Sequence, residues 1–118
     1  MVIPILEDKE AIEKAEEIFA ELKPGVDAAI FGHGDLAHSL RQPGQTVNWN
    51  DPYINEAFEK MLLLSRETGV PIMGMPRPEI TPECAKAVLN KGIKILMYYI
   101  DQLLFYDLCL DIVRSVKG

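Results

Sequence analysis

Four short apolar runs punctuate the chain, at residues 2–6, 28–31, 70–75 and 93–100, and none alternates cleanly between apolar and polar positions. Runs of this kind, mostly β-branched or aliphatic, suit strands buried on both faces of a parallel sheet. Each is followed by a helical pattern. In the first, Ile12, Ala15, Ile18, Phe19 and Leu22 fall on one face while Glu10, Glu13, Lys14, Glu17 and Glu21 largely occupy the other, which reads as a solvated acidic face.

The punctuation between runs agrees with that order. Asp51-Pro52 and Thr81-Pro82 each set a capping side chain before a proline at the first helical position. Gly25-Val26, Gly69-Val70 and Gly92-Ile93 each set a glycine, suited to the left-handed conformation that ends a helix, before a β-branched residue that opens a strand. The chain therefore reads βαβαβαβα over residues 1–118, one domain without a linker or low-complexity segment. Residues 37–50 stand apart as a long polar loop with Pro43-Gly44 and the only tryptophan, Trp49; a loop of that size is usually functional or ordered by a partner. The last helix, 102–116, carries Leu103, Leu104, Phe105, Leu108, Ile112 and Val113 around more than one face. It is either an oligomer interface or a deeply packed core helix.

Composition narrows the function classes. With 118 residues and 48% hydrophobic content the chain is long enough to bury a core. A formal charge of −6 and a pI near 4.8, with no basic stripe, argue against nucleic acid. No run approaches the roughly 20 apolar residues of a membrane span and no signal-peptide pattern opens the chain, so a cytoplasmic protein is expected. Cys84 and Cys109 are too far apart for a CxxC pair and read as small core residues.

Chemistry concentrates just past the first two runs. Glu7 and Asp35 follow consecutive strands, and in a parallel α/β fold both would open onto one mouth. Two carboxylates are hard oxygen donors suited to Mg²⁺ or Mn²⁺; the alternative is that they cap the turns that follow. Gly32-His33-Gly34 lies between them, where two glycines would let the backbone approach a ligand and expose N–H groups to a carboxylate or phosphate. His33 is a candidate substrate contact, and it and His38 also fit ordinary loop or helix-start histidines. Asp101 reads as a cap of the last helix or a further mouth residue, and Arg41 as a surface or anion-facing residue. Gly74 ends the third strand. There is no Ser-His-Asp or Cys-His arrangement, no Walker loop and no GxGxxG.

The stretch Gly25-Val26-Asp27-Ala28-Ala29-Ile30-Phe31-Gly32-His33-Gly34-Asp35-Leu36-Ala37-His38-Ser39-Leu40, with Pro43-Gly44-Gln45 after it, resembles the G-V-D-x-x-x-x-G-P-x-D-L-x-x-S-L-G-x-P-G segment of the HpcH/HpaI aldolases. These are class II, metal-dependent pyruvate aldolases of the phosphoenolpyruvate/pyruvate barrel superfamily. Pro4-Ile5-Leu6-Glu7 is similar to that family's strand with its metal-binding glutamate, and the likeness continues through Gly74 and Gly92-Ile93 to Tyr99-Ile100-Asp101. The resemblance implies a C-terminal half, strands five to eight, of a (βα)₈ TIM-type barrel, since a closed barrel needs eight units and roughly 250 residues. It implies Glu7 and Asp35 as ligands of a divalent ion (Mg²⁺, Mn²⁺ or Co²⁺), and Gly32, His33, Gly34 and Asp35 as the substrate-binding segment. The implied reaction is retro-aldol cleavage of a 2-keto-4-hydroxy acid to pyruvate and an aldehyde.

Two positions depart from that pattern: His33 replaces a proline and Arg41 a glycine. The family's catalytic arginine and its histidine with supporting aspartate belong to the barrel's first half, so catalytic residues are not assigned here. A homo-oligomer or a complementary half barrel is the expected partner. The competing reading is a non-catalytic metal-binding, ligand-binding or assembly module with a flavodoxin-like layer.

Overall fold

The computed structural model describes residues 1–76, 80–98 and 100–118. The elements follow the expected order: β1 (Ile5–Leu6), α1 (Lys9–Glu13), α2 (Ala15–Glu21), β2 (Ala29–Phe31), α3 (His33–Ser39), α4 (Pro52–Thr68), β3 (Ile72–Gly74), α5 (Pro82–Lys91), β4 (Ile95–Leu96) and α6 (Asp101–Lys117). The strands are shorter than the apolar runs. Pairing defines a strand, and the two outer strands have a neighbour on one side only.

Local chemistry sets most helix ends. Asp51 accepts from the Tyr53 N–H at 2.9 Å and Thr81 from the Cys84 N–H at 3.2 Å, each ahead of a proline. Gly69 (φ +76°) and Gly92 (φ +121°) close α4 and α5. Gly25 differs from its expected role: α2 ends earlier, at Leu22, because Pro24 cannot continue a helix, and Gly25 (φ +78°) serves the turn that follows. The expected first helix is divided at Lys14, yet Lys14 N–H still donates to the Glu10 carbonyl and Ile18 N–H to the Lys14 carbonyl. The break is a bend rather than a gap.

All strand pairs are parallel and the order is β1-β2-β3-β4. This overturns the flavodoxin-like outline. A doubly wound sheet reverses direction at a switch point, giving orders such as 2-1-3-4-5, and so covers both faces with helices. Here each strand adds beyond the last; with right-handed crossovers, that winding puts every connecting helix on one face. It is the progression of a βα barrel, stopped after four strands.

The two sheet faces differ accordingly. Leu6, Ala29, Phe31 and Ile72 point under the helices and are buried with Phe19, Ile54, Met61, Leu62 and Val70; α2 and α4 pack side by side over them. The opposite row, in register across all four strands, is Ile5, Ile30, Met73 and Ile95, none of which is buried.

α6 resolves the two readings of the last helix. None of its residues is buried, so it is not a deeply packed core helix in this chain, and Cys109 is exposed rather than a core residue; Cys84 is half-buried. The radius of gyration is 16.1 Å, against about 13.5 Å for a compact domain of this length. No helix among the described residues is long and apolar enough to cross a membrane.

Candidate metal and substrate site at the strand ends

Glu7 is the first residue after β1 and Gly32 the first after β2, so parallel pairing sets them side by side. The Gly32 N–H donates to the Leu6 carbonyl at 2.9 Å. A Cβ built on Gly32 would stand 2.5 Å from the Glu7 Cβ, 3.2 Å from its Cα and 3.2 Å from Ile5 Cγ2. The β2–α3 junction therefore lies directly against Glu7, and no other residue type leaves room for that. What Gly32 accommodates is a neighbouring strand end, whereas the sequence pattern had suggested a ligand.

Asp35 lies in the first turn of α3, three residues beyond Gly32, and is exposed; Glu7 is half-buried. The turn-capping alternative does not describe either of them. α1 is capped by Asp8, whose carboxylate accepts from the Ala11 N–H at 2.8 Å, and α3 begins at Gly32 without a side-chain cap. Asp35 gains instead from the partial positive charge of a helix start. Beside it Gly34 is open, since a Cβ there would meet nothing within 4 Å.

His33 is turned inward. It is 8% exposed and meets the Phe31 ring edge-on at 6.1 Å. Its burial had a signal in the sequence: His33, Leu36 and Ala37 are the buried residues of α3, spaced i, i+3, i+4, as an inward helix face requires. His33 also lines a cavity of about 210 Å³ on the helix side of the sheet, with Phe31, Phe58, Gly74, Val88 and Lys91 among its walls. Neither Glu7 nor Asp35 lines it.

The remaining candidates lie apart from Glu7 and Gly32. His38 is in the last turn of α3, its ring edge-on to Trp49 at 5.5 Å, a contact that folds the following segment back on α3. The irregular stretch consequently starts near Leu40 instead of Ala37, and Arg41 within it is exposed. Asp101 is the first residue of α6 and accepts from the Gln102 N–H, while Ile100 holds the cap position.

Among the described residues no group of three or more His, Cys, Asp or Glu side chains is placed to hold a metal ion. The pair Glu7 and Asp35 is still a fitting donor set for a hard divalent cation, which is commonly held by one or two carboxylates with water and substrate oxygens completing the shell. One member is half-buried, its Cα and Cβ packed against Gly32, and the other is open to solvent.

The fold and this strand-end arrangement define an open, half-barrel βα protein. Comparison with solved structures places it more closely. The chain matches an HpcH/HpaI aldolase from Desulfitobacterium hafniense (TM-score 0.79, 24% identity), over 100% of this chain and 43% of that one. It matches an HpcH/HpaI aldolase/citrate lyase family protein from Burkholderia cenocepacia (TM-score 0.78, 22% identity), over 99% and 42%. Citrate synthase SbnG is similar at TM-score 0.79 and 21% identity, over 99% and 44%. The chain thus has the fold of this aldolase group while spanning less than half the length of each, and the resemblance carried by the sequence extends to the backbone. No family model and no curated protein matches the sequence.

Proposed function

We propose that this chain is one half of a metal-assisted carbon–carbon lyase of the aldolase type, acting on 2-keto-4-hydroxy acids and releasing pyruvate and an aldehyde when further βα units complete the barrel. The observation that carries the reading is the Gly32 contact, which holds the half-buried Glu7 against the helix start bearing Asp35. A structural glycine alone would explain the close packing. It would not explain two uncapping carboxylates at the open end of a parallel sheet, where βα folds keep their chemistry.

Glu7 and Asp35 would hold Mg²⁺, Mn²⁺ or Co²⁺. Such an ion, when bound, supplies Lewis-acid stabilisation of the enolate formed as the C3–C4 bond breaks. The chain's own contribution is positional. The Cα and Cβ of Glu7 pack against Gly32, Gly34 leaves space beside the first turn of α3, and the Gly34 and Asp35 N–H groups at that helix start suit the substrate carboxylate. His33 contributes through its backbone and by anchoring α3 to the core. The proton transfers fall to residues outside this chain.

Calorimetric titration with Mn²⁺ tests the reading. One site is expected in the wild type and is lost in Glu7→Gln and in Asp35→Asn; equal affinity in all three proteins overturns it. With the 118-residue chain as the only protein, no appreciable pyruvate release is expected, since losing even one preorganised electrostatic donor costs on the order of 10²–10³ in rate.

A further inference from the structure

We propose that the pocket between α4, α5 and the sheet is a second binding site, for a small monocarboxylic acid with an aromatic, ring-sized body. Its walls include neither Glu7 nor Asp35. The inference therefore does not rest on the lyase reading, and its test uses no metal.

The pocket is built by the interior of the chain. Every described wall residue lies between Phe31 and Ile93, and the floor is the helix side of β2 and β3, the two strands with a neighbour on each side. Gly74 keeps that floor clear. A Cβ there would already stand 3.0 Å from Ile93 Cδ1, so a larger residue would crowd the wall that Ile93 forms.

Depth sorts the walls by chemistry. Phe31, Ile54, Val88 and Ile93 are buried and apolar, whereas Asn55, Ala87 and Lys91 stand exposed at the rim, on α4 and α5. Rings connect the two levels: Phe31 meets Phe58 at 5.3 Å, and the Lys91 ammonium sits over the Phe58 ring at 5.7 Å. Lys91 also ends α5, where a cation complements the negative end of the helix. That accounts for its charge and not for the open apolar space beneath it.

Size and charge narrow the ligand. The volume of about 210 Å³ exceeds the roughly 150 Å³ of an apolar cavity that takes benzene, which leaves room for one small substituent. Phe31 and Phe58 are tilted by 43°, an arrangement that offers an entering ring both a face and an edge. Among the described residues no acidic side chain lines the pocket and no carboxylate pairs with Lys91. One ammonium and one amide at the rim suit a singly charged carboxylate; a phosphate dianion calls for more positive charge. Because Lys91 is exposed, the charged head stays at the solvent while the ring enters, and no charge is buried.

Titration of the ¹⁵N-labelled 118-residue chain with sodium benzoate, followed by NMR at fixed ionic strength, tests the proposal. Saturable shifts are expected at the backbone amides of Phe58, Gly74 and Val88, with a dissociation constant on the order of 10⁻⁴–10⁻³ M for a ligand of this size. Benzyl alcohol, the ring without the charge, should bind about two- to fivefold more weakly, as an exposed ion pair predicts. Acetate, the charge without the ring, should bind at least about tenfold more weakly, since it buries almost no apolar surface. Lys91→Gln should bring benzoate down to the affinity of benzyl alcohol and leave benzyl alcohol unaltered. Ala87→Phe changes only an exposed rim position and fills the mouth, so it should abolish the shifts while the spectrum stays that of a folded chain. No saturable shifts at millimolar benzoate, shifts centred elsewhere in the chain, acetate matching benzoate, or either variant binding benzoate as the wild type does each overturns the proposal. Any of these would leave the Mn²⁺ test of Glu7 and Asp35 standing.

Discussion

Replacing Gly32 with alanine isolates the contact on which the candidate site depends. The backbone there (φ −82°, ψ 68°) is open to alanine, so the cost comes from space alone. The new methyl would stand 2.5 Å from the Glu7 Cβ and 3.2 Å from its Cα, about 1 Å inside ordinary carbon–carbon contact, and neither atom is the end of a flexible side chain. The strand end must move. Overpacking of this kind costs about 1–3 kcal/mol, and reduced freedom of the unfolded chain returns about 0.4–1 kcal/mol. The net expectation is a loss of about 1–2 kcal/mol, or about 4–8 °C in Tm at fixed protein concentration. Gly34→Ala is the matched control. It has nothing within 4 Å and lies inside α3, so it should be neutral or stabilising by about 0.5–1 kcal/mol. Urea denaturation followed by circular dichroism, with Mn²⁺ titration of both variants, reads the two effects. A Gly32→Ala protein as stable as Gly34→Ala, with unaltered Mn²⁺ affinity, would refute the claim that this glycine positions Glu7.

Two further expectations concern the scaffold. The Asp27 carboxylate accepts from the Lys23 and Val2 N–H groups at 2.8 and 2.7 Å, and these bonds, Lys23's first, hold its pKa below the usual carboxylate value. Its contribution to stability is present above the unfolded-state pKa near 3.9 and is lost as pH falls through the lower folded value, so the gap between wild type and Asp27→Asn in urea midpoint should be full at pH 7 and shrink below pH 4; a gap independent of pH would contradict this. Phe19, fully buried between the sheet and α4, should cost about 3–5 kcal/mol as Phe19→Ala in the same assay, and a loss under 1 kcal/mol would show that α2 does not pack as described.

Much of the architecture was legible because it is local. A cap acts over two or three residues, which is why Asp51-Pro52, Thr81-Pro82, Gly69 and Gly92 marked their helix ends correctly. The same reasoning set Glu7 just past β1, since a strand end needs only the limit of an apolar run, whereas Asp35 lies four residues past β2, in the first turn of α3. Where two neighbouring residues competed for one local role, pattern was insufficient: Asp8, and not Glu7, caps α1. Contacts between distant segments decided the rest. The order β1-β2-β3-β4 ruled out a doubly wound sheet, although both topologies share one succession of elements. The close approach of Gly32 to Glu7 spans 25 residues and exists only because parallel pairing of β1 and β2 fixes their register, so a glycine that read as room for a ligand proved to be room for a strand. The inward turn of His33 depends on α3 starting at once after β2, and that α6 buries none of its residues is decided by what packs on it rather than by its own apolar pattern. The sequence alone determined which segments are strands and helices, because propensity, capping and periodicity act within a few residues. The tertiary structure decided what each face meets, because that is set by which strands lie side by side.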